Sequence, residues 1–189
     1  MEINKQTKRL TNLILVFFLI FNCNQKNTER EILVSSICNG KVDESIGIFE
    51  LKILKSIQDQ NLAELLKFFG EETGFVSTYQ NRTFIKSKDS NNFLKKQSYF
   101  YIYLFDSKKM IKEMDIKSFD EPKISFYEAL QNCVEVTASS ILLEDLRAED
   151  SRKIFISTEN PDPDKVYINH KIWLHCDENK KCKIDFFDL

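Results

Sequence analysis

The side chains of this chain that could carry chemistry are few: two histidines and five cysteines. Both histidines and two of the cysteines fall in one stretch, as His170, His175, Cys176 and Cys182. Read as two strands joined through "DENKK" at 177–181, this stretch sets Cys176 opposite Cys182. In that register Leu174 faces Ile184, Ile172 faces Phe186 and His170 faces Asp188, all on one side, because strand side chains alternate. Opposed Cα atoms lie about 4.5 or 5.5 Å apart, within disulfide reach, so a Cys176–Cys182 bond is expected. A zinc site on the same residues fails on geometry. His175 points to the other face, and His170 lies about 20 Å along the strand from Cys176 at about 3.3 Å per residue. Ligands must sit about 2–2.3 Å from one ion, so no metal is expected.

His170 occupies an otherwise apolar row of Val166, Ile168, Ile172 and Leu174. Asp188 opposite could hold the imidazole and favour its protonated form, which would make the pair a general base in a pocket. A structural histidine satisfied within the sheet accounts for the same pattern. His170 and Asp188 are therefore the catalytic candidates of a chain in which no enzyme activity and no cofactor is expected. "ENPDPD" at 159–164 gathers acids that could meet calcium, but it lacks the glycine and terminal Glu of an EF-hand loop, and its residues suit turns.

The remaining chemistry lies at the N-terminus. Lys5, Lys8 and Arg9 precede nine apolar residues, Leu13–Phe21, and then Asn22 and Cys23. A spanning helix needs about 20 apolar residues, whereas a basic head followed by about 7–15 apolar residues is the form of a secretory signal. Residues 18–26, "FLIFNCNQK", contain no small-residue cleavage site. Ile20, Phe21, Asn22 and Cys23 resemble a lipobox of the looser kind found in spirochaete-type lipoproteins, with Phe21 and Asn22 bulkier than the usual small residues. The resemblance implies a signal peptide over 1–22, lipidation of Cys23, and a chain exported and anchored by its lipid to the bacterial cell envelope, on the inner or outer membrane or at the surface. An uncleaved anchor and a buried N-terminal helix are the alternatives.

Composition bounds the rest. The chain has 189 residues and a formal charge of −2, and residues 1–22 are net basic, so the remainder is more acidic still. Nucleic acid is not an expected partner, since no basic stripe is present. Sixteen Phe against four Gly and three Pro describe a chain folded along its length, with room for one domain and a real core. Cys38 and Cys133 are left over once Cys23 is lipidated and Cys176 is paired. In an exported chain an even number of cysteines points to disulfides, so Cys38–Cys133 is the expected second bond.

The elements that must position these residues follow from periodicity. Residues 23–31 are polar and read as a tether, with a single α+β domain over 32–189. Ile46, Phe49, Ile53, Leu54 and Ile57 predict a helix with Asp43 or Ser45 as its cap. Asn61 caps a second, with Leu62, Leu65, Leu66 and Phe69 on one face and Gly70 as its stop. "FVSTY" (75–79), "RTFI" (82–85) and the aromatic "SYFYIYLF" (98–105) read as strands. Short helices are expected from Ser107 and from Ser125. Val134, Val136 and Ala138, then "KIFIST" (153–158), then "VYINHKIWLHC" (166–176) and "CKIDFFDL" (182–189) form a C-terminal β-meander.

This order resembles small bacterial lipoproteins of the nuclear-transport-factor-2-like, cystatin-like α+β type, on residues 46–75 and 166–189. The resemblance implies N-terminal helices packed on a curved antiparallel sheet, cone-like in shape, and no catalytic residue. The function expected is that of a non-catalytic binding or interaction module anchored to a membrane, meeting a protein partner. Binding of a small apolar ligand in the concave sheet face is the alternative, and an enzyme using His170 and Asp188 is the third.

Overall fold

Three- and four-residue apolar spacing builds the first packed layer. The computed structural model describes residues 28–76, 81–114, 124–141, 151–158, 168–177, 179 and 181–188. Residues 28–36 are helical (α1), which overlaps the end of the polar stretch 23–31. Leu33 and Val34 lean on the core, and the Arg30 guanidinium reaches the carbonyls of Asp43, Glu44 and Ile46 at 3.4–3.5 Å.

Helix α2 (Ile48–Gln58) buries Leu51, Ile53, Leu54 and Ile57. Its N-cap is Gly47, not Asp43 or Ser45, because those two side chains serve the loop before it. Its end is closed by Gln60 at φ 52°, with Gln60 N–H donating to Ile57 O at 3.0 Å and Asn61 N–H to Ser56 O at 2.9 Å. This is the Schellman pattern, in which the left-handed residue is usually glycine.

Helix α3 (Leu62–Phe68) starts as expected, with the Asn61 side chain accepting from Glu64 N–H at 3.2 Å. It ends differently. Phe69 is already extended (φ −69°, ψ 141°) and begins strand β1 (Phe69–Val76), so Gly70 lies inside a strand instead of stopping a helix.

Strand β2 (Asn81–Ile85) pairs antiparallel with β1. Helix α4 (Lys86–Leu94) follows. It is polar apart from Phe93 and Leu94 and ends on a second non-glycine Schellman turn at Lys96, φ 60°. The expected strand at Ser98–Phe105 is helix α5 (Tyr99–Phe105). Ser98 accepts from Tyr101 N–H at 3.2 Å, and Phe100, Tyr103 and Leu104 are buried at i, i+3 and i+4. Aromatic density signals a strand only as a preference for a half-buried pleat. Here one helical face buries the same rings, and packing overrides propensity.

Helices α6 (Ser107–Met114) and α7 (Phe126–Gln131) lie where expected, α7 capped by Ser125 accepting from Glu128 N–H. The meander of strands β3 (Cys133–Ile141), β4 (Ser151–Thr158), β5 (Ile168–Cys176) and β6 (Cys182–Asp188) then completes a six-stranded open sheet. Its order is β2-β1-β6-β5-β4-β3. The sheet is mixed and not purely antiparallel, since β1 runs parallel to β6 while the other neighbours are antiparallel. The α+β class holds.

The core lies on one face of the sheet. Phe69, Phe75, Phe84, Phe93, Phe126 and Phe187 are fully buried there. Ring centroids lie 5.0 Å apart for Phe75–Phe187, 5.2 Å for Phe75–Tyr103 and 5.2 Å for Phe126–Phe187. Each such pair adds about 0.5–1.5 kcal/mol beyond the burial of its area. The Tyr103 hydroxyl donates to the carbonyl of Val76, so its buried polar end is satisfied.

The β3 edge is covered at Val136 and Ala138. Between α1 and α2 the chain turns through Cys38, Asn39 and Gly40 at φ 50°, 53° and 81°. Left-handed backbone costs about 1–2 kcal/mol for each residue carrying a Cβ. The segment after it lies along β3: Val136 N–H donates to Lys41 O at 3.0 Å and Asp43 N–H to Val136 O at 2.9 Å. The Ser45 hydroxyl donates to Ala138 O at 3.1 Å.

Candidate functional site

The β5–β6 hairpin carries the candidate residues, and its turn end is as the sequence predicts. Cys176 opposes Cys182 and the two are disulfide-bonded, with Cα atoms 3.9 Å apart. Leu174 opposes Ile184. The Asp177 carboxylate accepts from Asn179 N–H at 2.9 Å and from Lys181 N–H at 2.8 Å, which folds the turn around one side chain.

Beyond that point the register shifts. A bulge between the Leu174–Ile184 and Trp173–Phe186 pairs leaves Asp185 as the extra residue. Ile172 therefore opposes Phe187 and not Phe186, and Asp188 opposes Lys171 and not His170. The physical reason is the core. The one-residue shift sends Phe187 inward among Phe69, Phe75 and Phe126. Phe186 goes to the other face, stacked on Trp173 at 4.9 Å and 24°. Classifying the two adjacent aromatics by strict alternation from Cys182 puts the wrong one inside.

His170 and Asp188 are consequently not a cross-strand pair. Asp188 makes an ion pair with Lys171 at 3.2 Å. His170 is wholly buried, with Nε2 2.8 Å from Ile124 O and the ring edge-on to Phe126 at 5.0 Å. Since a carbonyl only accepts, Nε2 carries the proton. Nδ1 has no hydrogen-bond partner among the described residues. Burial pushes the imidazole down to about 4, against the smaller opposing pulls of the Ile124 carbonyl and the Asp188 charge. A ring held neutral, wholly buried, with its donor nitrogen engaged and Phe126 packed against it, is part of the core.

The outer face of the hairpin holds an arrangement that the sequence reading missed. Lys153 on β4 opposes Trp173 and sets Nζ 3.4 Å from its ring centroid, a cation–π contact. Phe186 stacks on the same indole, and Gly74 on β1 opposes Phe186 in turn. A Cβ at Gly74 would meet Phe186 Cβ at 2.7 Å, so the bare glycine is what admits the ring. Burial, and then Lys171 nearby, hold the Lys153 ammonium below its usual range. The lone Trp with aromatics on the neighbouring strand was the available signal, but it needed the register to be read.

An ion pair with a buried carboxylate was also missed. Glu50, in the first turn of α2, meets Arg152 Nε at 3.0 Å while Arg152 donates to Ser45 O at 2.9 Å. Glu50 side-chain exposure is only 5%, and the two residues are too far apart in sequence for any local pattern to join them.

The second predicted disulfide, Cys38–Cys133, is present, with Cα atoms 5.5 Å apart. Cys176 and Cys182 spend their thiols on each other, so neither is free to bind an ion. Cys23 and the signal-peptide reading of 1–22 lie outside the described residues, as do Val166, Asp162 and Asp164. Among the described residues no helix is long and apolar enough to cross a membrane.

No protein-family model matches the chain, and no curated protein matches it. Among solved structures it is similar to the orange carotenoid protein of Anabaena (Nostoc) sp. PCC 7120, in a structure binding canthaxanthin. The identity is 14%, over 73% of this chain and 34% of that one, with a TM-score of 0.36. The match thus spans about a third of that protein, and at this TM-score the likeness carries no argument about function.

Proposed function

We propose that the chain is an exported envelope protein, held on a membrane by lipid on Cys23, that works as a non-catalytic binding or interaction module. The observation that carries the export reading is the pairing of all four cysteines after Cys23 into two disulfides, a state that persists in oxidising compartments. The anchor rests on the lipobox-like "IFNC" at 20–23. Several acyl chains at about 0.8 kcal/mol per buried CH₂ hold a protein stably at a bilayer.

The module reading rests on the inner face of the sheet. That is where a small apolar ligand would lie, and it is packed by Phe69, Phe75, Phe126, Tyr103 and Phe187. The aromatic cluster suits an apolar ligand by chemistry, but its rings already contact one another at 5–6 Å, which is core packing. Recognition then falls to the outer surface.

Intact mass of the mature chain, together with membrane fractionation of wild type and Cys23→Ser, tests the anchor. The expected product begins at Cys23, carries a diacylglyceryl group and an N-acyl chain, and sediments with membranes, while Cys23→Ser is released. A chain that retains residues 1–22 without lipid would overturn the reading.

A further inference from the structure

We propose that the Cys38–Cys133 disulfide is a redox-sensitive latch on the edge of the sheet, holding the 38–45 segment as a removable cover over β3. Three observations at one place carry this. The bond joins the left-handed turn of Cys38, Asn39 and Gly40 to the first residue of β3. Two of the residues in that turn bear a Cβ and occupy backbone space that such residues leave when released.

The segment that follows is attached to the sheet by polar contacts and by one apolar side chain, Val42, which packs against the core. Val42 makes a lone parallel bridge to Val136. The Lys41, Asp43 and Ser45 hydrogen bonds to Val136 and Ala138 and the bond from Arg152 of β4 to Ser45 O at 2.9 Å make up the rest of the seam. Arg30 fastens the far side through three carbonyls at the limit of hydrogen-bond length. An uncovered edge offers a row of backbone donors and acceptors to any other strand, so the state of one bond decides whether that row is free.

The chemistry balances with a dithiol reductant. One thiolate of the reductant attacks a sulfur of the Cys38–Cys133 bond, and the leaving sulfur takes a proton. The second reductant thiol then resolves the mixed disulfide. Cys38 and Cys133 end as thiols and the reductant ends as its own disulfide. Cys133 is half-buried and Cys38 buried, which makes Cys133 the sulfur a reductant meets first.

Native-state hydrogen exchange on the full chain tests the latch in the Cys38→Ser/Cys133→Ser variant and, independently, in the folded wild type after dithiol addition. The second arm needs no refolding. A Cys176→Ser/Cys182→Ser variant given the same dithiol isolates the effect to the first bond. The expected result is exchange at least tenfold faster at the amides of Asp43, Val136 and Ala138, with the Leu174 and Ile184 amides unchanged. Unchanged protection at Asp43 and Val136 would overturn the latch. Equal loss of protection at all these amides would overturn it too, since the bond would then hold the whole domain and no separate cover.

Discussion

From Cys176–Cys182 to Leu174–Ile184 the closing hairpin keeps the register set by its turn, whereas beyond Asp185 every pair is moved by one residue. The turn end is governed locally, by the disulfide and by the Asp177 side chain that organises the loop. The open end is governed by the core, where the bulge lets Phe187 enter an aromatic cluster and sends Phe186 out to Trp173. A hairpin can thus be fixed at one end by its own sequence and at the other by what it packs on. The residues with chemical interest sat at the second end.

The largest effect should come from the residue that sets the shifted half. Phe187→Ala removes the ring that the bulge exists to bury, and a loss of about 3–5 kcal/mol is expected in denaturant unfolding. Phe186→Ala should cost clearly less. Equal costs would mean that both rings are equally buried and that the two faces are not distinguished.

Acid reports on the same half through His170. The unfolded chain takes up this proton near the usual 6.5, while burial holds the folded chain off until about 4. Its contribution is therefore complete above about pH 6.5 and is lost as pH falls through that window. The loss reaches about 3 kcal/mol by pH 4. A His170→Gln variant should show a flatter stability profile between pH 4 and 6.5 than wild type. Parallel profiles would assign the acid sensitivity to other groups.

These two expectations show which parts of the molecule could be read from sequence. Elements with a clean period or a side-chain cap were legible: α2 from the spacing of Ile53, Leu54 and Ile57, α3 from Asn61, and α7 from Ser125. Both disulfides were legible from parity and turn length. Helix α5 was not, because seven consecutive aromatic and aliphatic residues fit either period until Ser98 is seen to cap it. Helix α4 was missed because it is polar and ends at Lys96 instead of a glycine. The parallel β1–β6 pairing and the Glu50–Arg152 contact depend on partners over a hundred residues away, beyond any local pattern. His170 and Asp188 were identified individually, but their pairing failed because the bulge at Asp185 answers to Phe187 and not to the turn.

At the turn end, Cys176→Ser/Cys182→Ser opens a short loop and should cost about 2 kcal/mol by loop-closure entropy. The near-ultraviolet signal of the Trp173–Phe186 stack should survive, since the shifted half does not depend on the bond. Loss of that signal together with the disulfide would merge the two ends into one unit. The smallest effect is expected for deletion of Asp185. Without it, Ile184, Phe186 and Phe187 alternate in, out and in with no bulge, so the deletion variant should fold within about 1 kcal/mol of wild type. A loss comparable to Phe187→Ala would show that the bulge serves more than register.

The central claim is that the inner face of the sheet is a closed core in which His170 is a structural, neutral residue. The most direct measurement is a nitrogen-15 NMR titration of His170 in the folded chain. The account predicts a neutral ring protonated on Nε2, titrating near 4 and little changed by Asp188→Asn. Titration at or above 6.5 that drops in Asp188→Asn would contradict it and restore a functional His170–Asp188 pair.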